Sequence, residues 1–132
     1  MRYASVCDGI GAVHVAWQPL GWTCAWISEI DPFPAAVVEH HLGLPNLGNM
    51  MEITDEQIAE HGPVDLLVGG TPCQDFSVAG KGAGWEGRRG SLTWGFVELV
   101  RRLRPRWVVW ENVPGVLAAK HARGLRGFFG AL

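Results

Sequence analysis

The sequence predicts an α/β fold with a doubly wound, mostly parallel sheet. Three observations lead there. Short apolar runs alternate with helical patterns along the whole chain, neither an internal repeat nor a low-complexity linker interrupts them, and 132 residues suffice for one core but not two. Repeated strand and helix units of this kind build a parallel sheet whose sites lie at the carboxyl ends of its strands.

Each element has a local reason. "YASVC" (Tyr3 to Cys7) is a buried strand, and "GIGAVHVAWQPLG" is a tight turn entering a helix that Pro19 and Gly21 end. "WTCAWIS" (Trp22 to Ser28) is a second strand. Asp31 is placed to cap a helix with Pro32 in its first position, running through "AAVVEHHLG" to a terminating Gly43. Thr54 and Gln57 have capping-box spacing for a short helix ending near Gly62. "VDLLV" (Val64 to Val68) is a third strand, "SLTWGFVELVRRLRP" (Ser91 to Pro105) a helix, and "RWVVWEN" (Arg106 to Asn112) a fourth strand.

Composition narrows the function classes. A net charge of −2 and 48% hydrophobic residues fit a globular protein rather than a disordered chain or a uniformly basic nucleic-acid binder. The charges are unevenly spread. Residues 1 to 66 hold one cation and nine carboxylates, residues 67 to 132 ten cations and four carboxylates, so an anionic polymer would meet the second half. Cys7, Cys24 and Cys73 are an odd set without a close pair, which supports neither a disulfide framework, a zinc site nor any other metal site, and points to a reducing compartment. Gly9 to Ser28 carries no Asp, Glu, Lys or Arg, but its glycines, His14, Gln18 and Pro19 argue against a membrane span. Asp8 interrupts the only apolar stretch near Arg2, so no signal peptide is expected and the location expected is cytoplasmic.

The strand ends hold the candidate chemistry. After the first strand, Gly9 and Gly11 in "CDGIGA" allow close backbone approach to a ligand, or simply make a strand-to-helix turn. Glu29, twenty residues after Gly9 at the end of the second strand, favours the ligand, since a carboxylate there can accept from a ribose. After the third strand, Gly69, Gly70 and Pro72 restrict the backbone around Cys73 while Gln74, Asp75 and Ser77 make its surroundings polar. That setting suits a presented nucleophile better than an inert core thiol. Gly80 to Gly90 has five glycines and the cations Lys81, Arg88 and Arg89 in eleven residues, a loop able to close over phosphates or an ordinary solvated one. Glu111, at the mouth of the apolar "WVVW", is expected to be partly desolvated and is either a proton donor or a cap or ion-pair partner.

Together these pieces resemble the cytosine-C5 DNA methyltransferases, particularly their phage and prophage members. "DGIGA", "SEIDPFPAAV", "GNM" (Gly48 to Met50), "DLLVGGTPCQDFSVAGK", "RRGSL" (Arg89 to Leu92 closing it) and "WVVWENVPGVL" occur in the family's order and cover nearly the whole chain. The resemblance implies a sheet of the S-adenosylmethionine-dependent methyltransferase (Rossmann-like) type and a role in DNA methylation or restriction-modification in a bacterial or phage-infected cell. It implies that the Cys73 thiolate attacks C6 of a cytosine flipped from double-stranded DNA, with Glu111 at N3. S-adenosylmethionine would be the methyl donor, held by Asp8, Gly9, Ile10, Gly11, Glu29, Ile30, Asn49, Met50 and Pro72. Gln74, Ser77, Lys81, Arg88 and Arg89 would meet DNA. Three positions depart from the family, with Cys7 where an aromatic residue is usual, Ala12 where a third glycine is, and Asn49 where an Asp is more common.

The family continues with an arginine-bearing strand, a target-recognition region and a returning C-terminal helix, none of which is in the 132 residues. The sheet is therefore expected to be incomplete at its C-terminus, with residues 1–132 forming the N-terminal part of the catalytic domain and Phe128, Phe129 and Leu132 left uncovered on a helix. Two functions fit: the catalytic half of a methyltransferase completed by a second polypeptide or by self-association, or an inactive remnant that binds cofactor or DNA weakly. A nucleotide-binding oxidoreductase would explain the glycines and Glu29 but not PCQ, RG and ENV.

Overall fold

The computed structural model describes residues 1–72 and 90–132. The elements run β1 (Arg2–Val6), α1 (Ala12–Trp17), β2 (Thr23–Ser28), α2 (Pro32–Leu42), α3 (Asp55–His61), β3 (Leu66–Gly69), α4 (Gly90–Leu103), β4 (Trp107–Trp110) and α5 (Ala122–Ala131). The four strands form one parallel sheet in the order β2-β1-β3-β4. Because β1 is followed by a strand on one side and later flanked by β3 on the other, the connections diverge at its carboxyl end, where a doubly wound sheet opens a crevice.

The helix boundaries follow the local signals. Asp31 caps α2 by accepting from the Phe33 N–H at 3.1 Å, and Gly43 ends it at φ 59. Thr54 and Gln57 form the reciprocal capping box of α3. Gly21, at φ 67, closes the 3-10 turn Gln18–Leu20 that extends α1.

The helices pack on both sheet faces. Ala4, Val6 and Leu67 face Phe96, Val97, Leu99 and Val100 of α4 and Phe128 of α5 in the larger core. Tyr3, Leu66 and Val68 face Val13 and Trp17 near α1 in the smaller one. A bulge in β2 sets which residues face which core. Tyr3 pairs with Cys24 but Ala4 with Trp26, so Ala25 is an extra residue and every side chain after it changes face. Trp26 is thereby fully buried in the larger core.

One expectation is corrected. Phe128 is not left uncovered on α5: it is buried, with its ring 4.4 Å from that of Trp110, while Phe129 and Leu132 are exposed. Along the apolar run of β4, Val108 and Trp110 pack inward, and Trp107 (53%) and Val109 (41%) are open. Among the described residues, the Arg106 guanidinium lies 5.9 Å from the centre of the Trp107 ring but no helix covers that face, β4 is an edge strand, and no helix is long and apolar enough to cross a membrane.

At Gly69, Val6 of β1 and Phe96 of α4 approach the β3 backbone closely. A Cβ there would lie 2.7 Å from Val6 Cγ2 and 2.8 Å from Phe96 Cε2, both in fully buried side chains. Gly69→Ala is expected to lower unfolding free energy by about 1–3 kcal/mol, as overpacking does. Gly130→Ala, with open space at its Cβ in α5, should change it by less than about 1 kcal/mol. Urea denaturation of both variants checks the pair, and equal effects would remove the packing role of Gly69.

Candidate active site

The loop after β1 is shaped by backbone that only glycine adopts cheaply. Cys7 (φ 51), Gly9 (φ 59) and Gly11 (φ 82) are all left-handed, which turns the chain sharply out of the sheet. Asp8 anchors the turn from below. Its buried carboxylate accepts from the Ser5 hydroxyl and, at 2.9 Å, from His14 Nε2, whose Nδ1 accepts from the Tyr3 hydroxyl at 2.7 Å in the tautomer this chain of bonds assigns.

The same turn holds Glu29. The Gly9 N–H donates to Glu29 Oε2 and the Asp31 N–H to Oε1, both at 2.8 Å. Each carboxylate oxygen thus spends one lone pair on the backbone and keeps another for a ligand, in a fixed orientation. Glu29 borders a cavity of about 270 Å³ whose other walls are Cys7, Ser28, Ile30, Asn49, Met50, Gly70, Pro72 and Leu92. A carboxylate at an otherwise largely apolar cavity suits a ligand with a flat ring and a hydroxylated end.

Of the residues expected to hold the cofactor, Glu29, Ile30, Asn49, Met50 and Pro72 meet at this cavity. Asp8, Gly9, Ile10 and Gly11 do not line it: Asp8 points under the turn, Gly9 orients Glu29, Ile10 is exposed, and Gly11 packs against His14 and Val38. Asn49 spends part of its amide on its own turn, its Oδ1 accepting from the Met51 N–H at 3.1 Å and its Nδ2 donating to Glu52 at 3.0 Å. Sequence reasoning assigned Cys7, Ser28 and Leu92 no contact with the ligand. Ser28 and Leu92 lie within or beside the quoted motifs, but motif membership alone does not say which face they present.

The ends of β3 and β4 meet beside this cavity. The Glu111 N–H donates to the Gly69 carbonyl at 3.0 Å, extending the strand pairing, and a Cβ on Gly70 would come 3.0 Å from Glu111 Oε2. Thr71 joins the two strand ends. Its hydroxyl accepts from Trp110 Nε1 at 2.9 Å and lies 3.2 Å from the Thr93 hydroxyl of α4, and its carbonyl accepts from Asn112 Nδ2 at 3.2 Å. The residues on either side of Glu111 are therefore both bonded to Thr71, two positions before Cys73. Glu111 itself is exposed, so the desolvation expected at the mouth of β4 does not come from the described residues. Cys73, Gln74, Ser77, Lys81, Arg88 and Arg89 lie outside the described residues. No cluster that could hold a metal ion occurs among the described ones.

An open parallel sheet with a carboxylate-bordered cavity at the switch point is the doubly wound α/β architecture, in which ligands bind outside the carboxyl ends of the strands. The family model for C-5 cytosine-specific DNA methylase matches residues 1–132, and the chain belongs to that family. A protein of Escherichia phage P1 named DNA N-6-adenine-methyltransferase is 46% identical over 128 residues, 89% of this chain and 17% of that protein. The type II methyltransferase M.AluI of Cellulosimicrobium cellulans is 35% identical over 90% of this chain and 24% of its own length, and M.HhaI of Haemophilus parahaemolyticus is 32% identical over 94% and 36%. The crystal structure of a putative DNA modification methyltransferase from an Escherichia coli prophage shares the fold at TM-score 0.76 and 21% identity, over all of this chain and 37% of that one. The chain thus spans well under half the length of these relatives.

Burial, and then the nearby Glu29 carboxylate, push the Cys7 thiol from near 9 up to about 11. The unfolded thiol ionises first as pH rises, so the stability linked to Cys7 is complete below about pH 9 and is lost towards pH 11. Cys24, pushed up to about 12 by burial first, adds to the same alkaline loss. In urea titrations under reducing conditions, Cys7→Ser should therefore lose less stability between pH 8.5 and about 10.5 than the native protein does. An unchanged slope would show that Cys7 ionises alike in both states.

Proposed function

We propose that the chain carries the cofactor-binding and catalytic part of a DNA (cytosine-5-)-methyltransferase. One observation supports this reading most: Gly70 lines the Glu29 cavity on one side and lies against the Glu111 carboxylate on the other. A donor in the cavity and a base beside Glu111 would be separated by the width of a glycine, and a side chain at position 70 would fill the gap. The cofactor that fits is S-adenosylmethionine, which Glu29 would hold by its ribose hydroxyls and Ile30 and Met50 by its adenine; when bound it would supply the methyl group.

The substrate is a cytosine flipped out of double-stranded DNA, since neither face of C6 is reachable within the stack. The Cys73 thiolate forms a bond to C6, and the electron pair of the C5–C6 double bond moves onto C5, which becomes nucleophilic enough to take the methyl group. Glu111 donates a hydrogen bond or proton to N3 and so spreads the developing charge. Transfer of the C5 proton to water then re-forms the C5–C6 double bond and expels the Cys73 thiolate, any proton taken up at N3 returning to Glu111. Gln74, Ser77, Lys81, Arg88 and Arg89 contact the opened DNA. The work is cytoplasmic. The adenine activity in the name of the phage P1 protein belongs to that protein, of which this chain matches 17%.

Among the described residues no strand pairs with the outer edge of β4, and that edge with the open face of Trp107 and Val109 favours association with further polypeptide, from a second protein or another copy. The 132 residues alone are expected to self-associate or to recruit that polypeptide, and to transfer methyl groups slowly without it. Light scattering with tritiated methyl transfer tests this, and a monomer turning over like a complete enzyme would refute it.

The chemical assignment is tested with S-adenosylmethionine and DNA containing 5-fluorocytosine, which cannot lose its C5 substituent. A covalent protein–DNA adduct should form and should disappear in Cys73→Ser. Glu111→Gln keeps the shape and should slow methyl transfer by roughly 10²-fold or more, the loss expected for a general acid. An adduct surviving Cys73→Ser, or an unchanged rate in Glu111→Gln, would overturn the respective role.

A further inference from the structure

The segment after α2 reaches the cavity through one side chain that no motif includes. Residues 45–47 run beside the outer edge of β2, where the Ile27 N–H donates to the Pro45 carbonyl and the Leu47 N–H to the Ile27 carbonyl, each at 2.8 Å. At the next step the partner is no longer backbone but the amide of Asn46. Its Oδ1 accepts from the Glu29 N–H and from the Gly48 N–H, both at 3.0 Å, and its Nδ2 donates to the Glu29 carbonyl at 3.0 Å. Oδ1 faces two donors and Nδ2 an acceptor, so only one orientation of the amide satisfies all three bonds. The Ser28 hydroxyl adds a fourth tie, donating to the Gly48 carbonyl at 2.6 Å.

We propose that Asn46 is a positioning residue of the cofactor site, joining Glu29 to the Gly48–Met50 turn so that the two walls of the cavity are held as one. Asn46 holds both backbone groups of the residue whose carboxylate faces the cavity, and also the N–H that starts the turn carrying Asn49 and Met50. The side chain does not itself line the cavity. Its effect is preorganisation: a ligand touching both walls meets them already at the right separation and does not have to order them. The inference rests on the cavity being the cofactor site, as proposed above.

Asn46→Ala removes all three bonds but leaves the backbone pairing of residues 45 and 47 with Ile27, so the segment stays attached. Asn46→Asp keeps the two acceptor bonds and serves as a second variant should the alanine fold poorly. Binding of S-adenosylhomocysteine by calorimetry, amide hydrogen exchange without ligand, and methyl-transfer kinetics are measured, with Glu29→Ala alongside. Asn46→Ala should weaken binding roughly fivefold or more, the scale of losing one to two net hydrogen bonds. The Glu29 and Gly48 amides should exchange faster in the absence of ligand. The KM for S-adenosylmethionine should rise in step with the binding loss while kcat at saturation changes less than about twofold, a split that general destabilisation would not produce. If Glu29→Ala weakens binding and both Asn46 variants bind within about twofold of the native protein, the positioning role is refuted and the cofactor reading stands. If Glu29→Ala also leaves binding unchanged, the cofactor reading fails and this inference with it.

Discussion

Because β1 is hydrogen-bonded to β2 on one edge and to β3 on the other, the chain leaving β1 and the chain leaving β3 must part in opposite directions, and the gap they leave is the site. Every functional group described above depends on that divergence. The β1 turn fills one side of the gap and presents the Gly9 N–H to Glu29 at the end of β2. The end of β3 fills the other side with Gly70, which lacks the side chain that would close it. A parallel sheet delivers all its carboxyl ends to one edge, so residues distant in sequence arrive together without long loops.

Rigidity at this edge comes from polar groups that each serve two elements. Glu29 accepts one backbone N–H through each oxygen, Asp8 ties the β1 turn to Ser5 and His14, and Thr71 is shared among Trp110, Asn112 and Thr93. Individually such bonds contribute about 0.5–1.5 kcal/mol net. Their greater effect is geometric, because each leaves a reactive or ligand-binding group fewer orientations. The glycines do the complementary work: Gly69 admits Val6 and Phe96, and Gly70 admits the Glu111 carboxylate.

The open side of β4 shows how closely burial and composition can part. Trp107, Val108, Val109 and Trp110 are uniformly apolar, yet alternate between exposed and half-buried. On the inner face α4 and α5 cover Val108 and Trp110, with Phe128 against the indole. On the outer face the described residues supply no layer, and apolar surface of this kind is what a protein keeps for contact with more polypeptide.

What the sequence determined by itself was whatever is settled within a few residues. The Asp31 cap with Pro32, the Gly43 terminus and the Thr54–Gln57 box are contacts across two to four positions, and the helices fall where those residues require. The alternation of elements fixed the fold class, Glu29 was legible from its place at a strand end, and Ile30, Asn49, Met50 and Pro72 were legible only through the family resemblance. Tertiary structure decided the rest. The extra residue at Ala25 turns Trp26 into the core and sets the face of everything after it, a choice made by pairing with β1 and not by the local pattern. Phe128 is buried and Phe129 exposed because only one of them meets Trp110. The turn residues Asp8 and Gly11 support the site from beneath instead of lining it, and Asn46 and Thr71 join it through partners 17 and 22 to 41 positions away. A bond between residues that far apart leaves no periodicity and no cap in the sequence, so only the folded chain brings it into view.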